Sequence, residues 1–278
     1  MKTGVKWTGV ALVSLLAVTF AFGQSEFTIP FSDPAKRGKL KARINYGSIT
    51  IKGTARKDVL VRYTSEVDED RDHDKHKDKD KDNTDSGKEG LKRIGGGGLE
   101  LDASENANYV KVSSGSWNIK TNLEIEVPSG IDLIIGTYND GDLVVTNIQG
   151  EVELTNYNGE ITALNISGSV VATTYNGDIK VTFDKVTEGK PMSYSNYNGD
   201  VDLTFPATTK ATFRMKTDQG DIYTGFDMNV TTSGPVKQQD KSGNFKLKID
   251  EWKRGDINGG GPEVTMKSYN GDLYIRKK

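Results

Sequence analysis

Residues 138–177 read YNDGDLVVT NIQGEVELT NYNGEITAL NISGSVVAT TYNG. Set out in nines, every block carries a glycine at its fourth place: Gly141, Gly150, Gly159, Gly168 and Gly177. Tyr138, Tyr157 and Tyr175 precede alternate glycines, and Ile148 and Ile166 precede the others, so the full unit is about eighteen residues. The second and fourth residues after each glycine are mostly apolar, as in Leu143/Val145, Val152/Leu154 and Ile161/Ala163, while the residue between them varies. That period of two marks short strands buried on one face. Asn-Gly before a strand supplies a turn that tolerates positive φ.

Two architectures fit short strands separated by Asn-Gly. One is an antiparallel β meander or sandwich, since Asn-Gly is a strong hairpin signal. The other is a β-solenoid, parallel β-helix-like, with about 18–22 residues per coil. Constant spacing and a two-arc period favour the solenoid, because equal coils stack identical positions into ladders. Stacking is also an energetic requirement. One arc buries two apolar side chains, worth about 1.5–3 kcal/mol each, against a backbone ordering cost of about 1–2 kcal/mol per residue.

Later copies of the unit contain Gly199, Gly220 and Gly271, at intervals of 22, 21 and 51 residues. The long last interval reads as loops plus a less regular coil. Asn258 to Pro262 reads as a turn before a final strand from Val264 to Ile275. Asn45-Tyr46-Gly47-Ser48 is an early, weaker copy. Ahead of the repeat, Leu40–Lys52, Val59–Val67, Leu99–Ser113 and Ile119–Val127 read as strands.

The chain of 278 residues opens with Lys2 and Lys6, an apolar run from Val10 to Phe22, and Ala21-Phe22-Gly23. This is the pattern of a secretory signal peptide over 1–23. The run is short for a membrane span, which takes about 20 apolar residues. The expected mature chain, 24–278, reads as one β-repeat domain with no transmembrane segment. No cysteine occurs, which excludes thiol catalysis, zinc–thiolate sites and a lipid-bearing cysteine. The net charge of −2 gives no electrostatic reason to bind nucleic acid.

Residues 68–85 hold nine acidic and five basic side chains among eighteen. Such a segment cannot bury a core, so a disordered charged insert is expected over about 68–98. It contains the candidates for a cation. Asp78, Asp80, Asp82 and Glu89 fall at calcium-loop positions, with Thr84 and Ser86 between them. His73 and His76 could take a transition metal. Asn83 stands where such a loop needs glycine, and Lys79 and Lys81 oppose a cation, so a solvated linker is the favoured reading. The acids Asp142, Glu151, Glu160, Asp178, Asp200, Asp221 and Asp272 each follow one glycine. They match the period of calcium-bound nonapeptide rolls without the Gly-Gly-x-Gly-x-Asp motif, and read as solvated turn acids.

Tyr46 to Gly53 with Val59-Leu60-Val61, Leu123 to Pro128, and Ser268 to Ile275 together resemble a family of exported bacterial β-strand-repeat domains labelled "putative adhesins", of unknown function. The resemblance spans nearly all of the mature chain and implies a β-helix-like solenoid, an envelope location and no established chemistry. The 68–85 insert departs from it.

Tyr138, Tyr157, Tyr175 and Tyr197 should form a stripe along one edge, either a platform for a glycan or protein partner or corner residues packed over the coil beneath. The packing role is favoured, because Ile holds the matching place in alternate arcs. Gly95–Gly98 lacks the Lys-Ser/Thr ending of a phosphate loop. With both histidines in the charged segment, no Ser/His/Asp triad forms. The expectation is a non-catalytic exported module, periplasmic, outer-surface or secreted, with an adhesive, envelope-structural or surface-binding role. It needs no cofactor, and its partner is an envelope polysaccharide or protein. The alternative is a polysaccharide-active enzyme using carboxylates on the solenoid face.

Overall fold

A computed structural model describes residues 25–67, 101–187, 189–232, 236–239, 245–248 and 252–278. The signal peptide, the charged insert with its cation candidates, and Gly95–Gly98 lie outside these residues. The described residues are strands and connections.

The repeat builds a β-solenoid with two faces. On the first face the strands run, in spatial order, β1 (Ser25–Pro30), β4 (Asp58–Val67), β7 (Ile119–Pro128), β3 (Ile49–Thr54), β9 (Leu143–Thr146), the start of β11 (Ile161–Thr173), β12 (Ile179–Val186), β14 (Val201–Phe205), β22 (Leu273–Lys277) and β16 (Ile222–Thr224). On the second they run β5 (Asp102–Asn106), β6 (Tyr109–Ser114), β2 (Lys39–Tyr46), β8 (Asp132–Asn139), β10 (Glu151–Thr155), the end of β11, β13 (Met192–Ser195), β21 (Glu263–Asn270), β15 (Ala211–Gln219), β20 (Lys253–Ile257) and β17 (Asn229–Thr232). Neighbours are parallel through the middle. They are antiparallel at both ends, where β1, β4 and β5 close one and β20 and β17 the other. A separate hairpin pairs β18 (Val236–Gln239) with β19 (Phe245–Lys248).

The two kinds of arc in the sequence are the two corners. Each Tyr-Asn-Gly corner carries the chain from the second face to the first, and each Asn-Ile-x-Gly corner returns it. Residues at plus two and plus four fill the interior, as the alternation demands: Leu143, Val145, Ile161, Ala163, Ile179 and Val181 are all fully buried. Ile148 and Ile166 fill the return corner. There Asn147 and Asn165 adopt positive φ and bond side chain to side chain at 3.0 Å. Phe183 and Phe205 stack in the core at 5.1 Å, with Phe213 edge-on.

Two coils sit out of chain order, and at the antiparallel end β20 lies between β15 and β17. The coil β2–β3 sits between β6–β7 and β8–β9. The C-terminal coil β21–β22 sits between β13–β14 and β15–β16. The 51-residue interval is therefore the path out to the antiparallel end and back, and the coil it leads to is regular. The expected strands Leu40–Lys52 and Val264–Ile275 each break at a corner, at Gly47-Ser48 and Gly271-Asp272, because each crosses from one face to the other.

The repeat glycines do more than turn the chain. Gly159 has φ +145, but Gly168 needs no left-handed backbone. What both lack is room: a Cβ on Gly159 would fall on the carbonyl oxygen of Gly141, and one on Gly168 on that of Gly150. Successive corners rest backbone on backbone, which only glycine permits.

Behind the corners runs an inner polar column that the sequence reading passed over. Asn156 Nδ2 donates to Gly141 O at 2.9 Å, Thr174 Oγ1 to Gly159 O at 3.1 Å, Asn196 Nδ2 to Gly199 O at 2.6 Å and Ser268 Oγ to the same oxygen at 3.1 Å. These donors satisfy glycine carbonyls turned into the solenoid. Thr174→Val should cost about 1–3 kcal/mol by leaving Gly159 O unpaired, read as a fall in the urea midpoint with an unchanged slope.

Tyr194 is the opposite case. It is fully buried, and among the described residues its hydroxyl reaches only Met192 Sδ, at 3.5 Å. Burial pushes its pKa well above the ordinary tyrosine value. Above about pH 10 the unfolded chain loses this proton while the folded chain keeps it, so stability falls as pH rises. Tyr194→Phe should hold or raise neutral-pH stability, by up to about 1 kcal/mol. It should also flatten the alkaline decline. Thermal melts from pH 7 to 11 check both; a loss beyond that size at pH 7 contradicts the account.

Candidate partner-binding face

Each Tyr-Asn-Gly corner sets three parallel columns along the solenoid. The glycine column holds the coils in contact. The asparagine column is bonded rung to rung: Asn176 Nδ2 donates to Asn158 Oδ1 at 2.7 Å, Asn198 to Asn176 at 2.6 Å and Asn270 to Asn198 at 2.7 Å. The tyrosine column stands outside these, and it is the candidate site.

Tyr138, Tyr157, Tyr175 and Tyr197 stack ring on ring, with centroids 4.7, 5.0 and 4.8 Å apart and interplanar angles of 9° or less. Tyr269 continues the stack beyond Tyr197 at 4.7 Å. Trp117 closes the other end edge-on to Tyr138, at 5.2 Å and 80°. All six rings are between 38 and 53% exposed. The tyrosines thus pack over one another and also form a continuous exposed ladder. The matching isoleucines occupy the other corner and are buried there, so they are no guide to the tyrosines. Tyr46, one place nearer its glycine, is buried and lies off the ladder.

Sequence reasoning missed both ends. Tyr269 sits in a full Tyr-Asn-Gly-Asp copy, yet it lies 72 residues beyond Tyr197, and only the wedged C-terminal coil makes them neighbours. Trp117 has no repeat position that could flag it. In the coil beyond Tyr269 the same place is held by Asp218, so the ladder stops there.

The expected acids do not all align, since Glu151 follows a return corner and starts β10 on the second face. The acids after the glycines of the tyrosine-side corners form a column on the first face. Backbone N–H groups of the next coil donate to them at 2.8 Å: Glu160 to Asp142, Asp200 to Asp178, Asp272 to Asp200 and Asp221 to Asp272. They serve the stacking of coils as well as facing water. An open groove of about 380 Å³ brings Asp178, Asp200, Asp202, Tyr274 and Arg276 together. In it Arg276 Nε donates to both Asp202 oxygens at 2.8 and 2.9 Å, and Tyr274 donates to Asp272 at 2.9 Å. That hydrogen bond pushes the Tyr274 pKa up to about 12. Asp202 is thus paired with Arg276, Asp178 and Asp200 accept backbone N–H groups, and Glu160 also lines the groove. Among the described residues, no three acids or histidines converge as a metal site would require, and no helix is long and apolar enough to cross a membrane.

The family model described as Toastrack DUF4097 matches residues 95–258. Among solved structures, a "putative cell adhesion protein" from Clostridium sporogenes is similar, with 11% identity over 92% of this chain and 100% of that one and a TM-score of 0.45. A "putative adhesin" from Bacteroides fragilis is 10% identical over 92% of this chain and 97% of that one, with a TM-score of 0.28. No curated protein matches the chain.

Proposed function

The chain belongs to the Toastrack DUF4097 family, and from that premise we propose a non-catalytic, exported binding module whose tyrosine ladder meets its partner. The observation that carries this reading is the unbroken row of six exposed rings on a rigid scaffold. Tyrosine contributes large contact area at low entropic cost and is favoured at interfaces. Export is supported by the leader-like start, and the pairing of Asp202 with Arg276 counts against its use as a catalytic carboxylate in the alternative of a polysaccharide-active enzyme.

The test is capture from envelope fractions of the source cells, using the folded protein and a Tyr157→Ser/Tyr175→Ser variant. The expected result is one retained component that the variant, still folded by circular dichroism, fails to hold. Equal retention by the variant, or glycan turnover abolished by Asp202→Asn, would sink the reading.

A further inference from the structure

The ring faces of the ladder are used up by one another, since each tyrosine lies flat against the next. An incoming ligand meets ring edges and a row of phenol hydroxyls. A partner that needs open ring faces is therefore disfavoured, and contacts beyond the ring edges fall to the surface beside the row.

Two residues before each tyrosine, on the outer side of the second face, runs a column in direct register. It reads Arg43, Gly136, Thr155, Thr173, Ser195, Lys267. Its four middle rungs are small and uncharged, and Thr155 and Thr173 are exposed. At Gly136 there is no side chain, and Arg43 runs alongside: a Cβ there would stand 3.6 Å from Arg43 Cγ. The next column out runs from Lys41 through Ile134, Glu153, Val171, Ser193 and Thr265 to Arg214, with Glu153 as the one charge between its ends. The short columns are a floor and the tyrosines are a wall about 19 Å long, four strand spacings. The trough is straight, runs parallel to the solenoid axis, and has cations only at its ends.

We propose that this trough binds one extended, uncharged polysaccharide chain lying along the solenoid axis; the proposal rests on the binding-module reading above. A straight floor with a constant strand spacing suits a regular polymer better than an irregular protein surface. Hydroxyls of Tyr, Thr and Ser both donate and accept, as sugar hydroxyls do. A polyanion would find cations only at the ends and Glu153 between them. A second copy of this chain would need an apolar face, and the ring faces are already covered.

Affinity electrophoresis of the full chain tests this, through gels carrying hydroxyethylcellulose, mixed-linkage β-glucan, xylan or polygalacturonate. The proposal expects retardation by at least one neutral polymer and none by polygalacturonate. It expects Thr173→Glu, on the exposed floor, to weaken that retardation at least tenfold, and Thr162→Glu, on the other face, to leave it within twofold. Both variants should melt within a few degrees of the parent. Retardation by polygalacturonate alone, retention that survives Thr173→Glu, or no retardation by any neutral polymer overturns it. If ladder-dependent capture of an envelope protein persists in any of those cases, the binding-module reading stands and only the glycan assignment falls.

Discussion

Removing residues 263–278 should abolish cooperative folding of the protein. The segment looks like a dispensable tail, but it is an interior coil. Val264, Met266, Leu273 and Ile275 are buried to 1% exposure or less. Their burial is worth about 6–12 kcal/mol together, comparable with the whole net stability of a domain, about 5–15 kcal/mol. Its loss also separates β13–β14 from β15–β16, which pair with the missing coil and not with each other. The expected readout is a broad, non-cooperative thermal transition by circular dichroism. Adding a synthetic peptide of residues 259–278 should restore a cooperative one. A truncated chain that melts as sharply as the parent, at a similar temperature, refutes the wedged placement.

Gly159→Ala carries the second large effect. The new methyl would collide with the carbonyl of Gly141, and both partners are backbone, so neither can swing aside. The φ of +145 adds strain for any L side chain. Overpacking and strain together should cost about 2–6 kcal/mol. At about 2–4 °C per kcal/mol for a chain of this size, the melting temperature should drop by about 4–24 °C. Gly130→Ala is the control: a Cβ there meets nothing within 4 Å, and the expected change is within about 0.5 kcal/mol. Equal effects at the two positions would show that corner contact is not what the repeat glycine provides.

Much of this was legible in the repeat because its signals are local. The nine-residue spacing, the apolar pairs such as Leu143/Val145 and the Tyr/Ile alternation each sit within one coil, and together they specify strands, corners and core. Three features depend on which coil lies next door, and the chain alone does not state that. The wedged position of 263–277 follows from pairing between distant segments. The role of Asn156 and Thr174 appears only once a neighbouring glycine carbonyl is seen turned inward. The ladder's true length needed Tyr269 brought beside Tyr197 and Trp117 laid against Tyr138. The tyrosine stripe itself could be read, but whether its rings offered faces or edges could not, because that depends on the stacking distance.

The most direct test of the coil order uses the absence of cysteine in the chain. Ser193, Thr265 and Arg214 lie side by side in register on the outer side of the second face, with Thr265 in the middle. Adjacent strands are about 4.8 Å apart, within the Cα span of about 4.4–6.8 Å that a disulfide bridges. Ser193 and Arg214 stand two strands apart, at about 9–10 Å. Under mild oxidation, Ser193→Cys/Thr265→Cys should cross-link within the monomer nearly completely, and Ser193→Cys/Arg214→Cys should not. Efficient 193–214 bridging with no 193–265 product would mean that the coils stack in chain order, and the continuous ladder would be lost with the wedge.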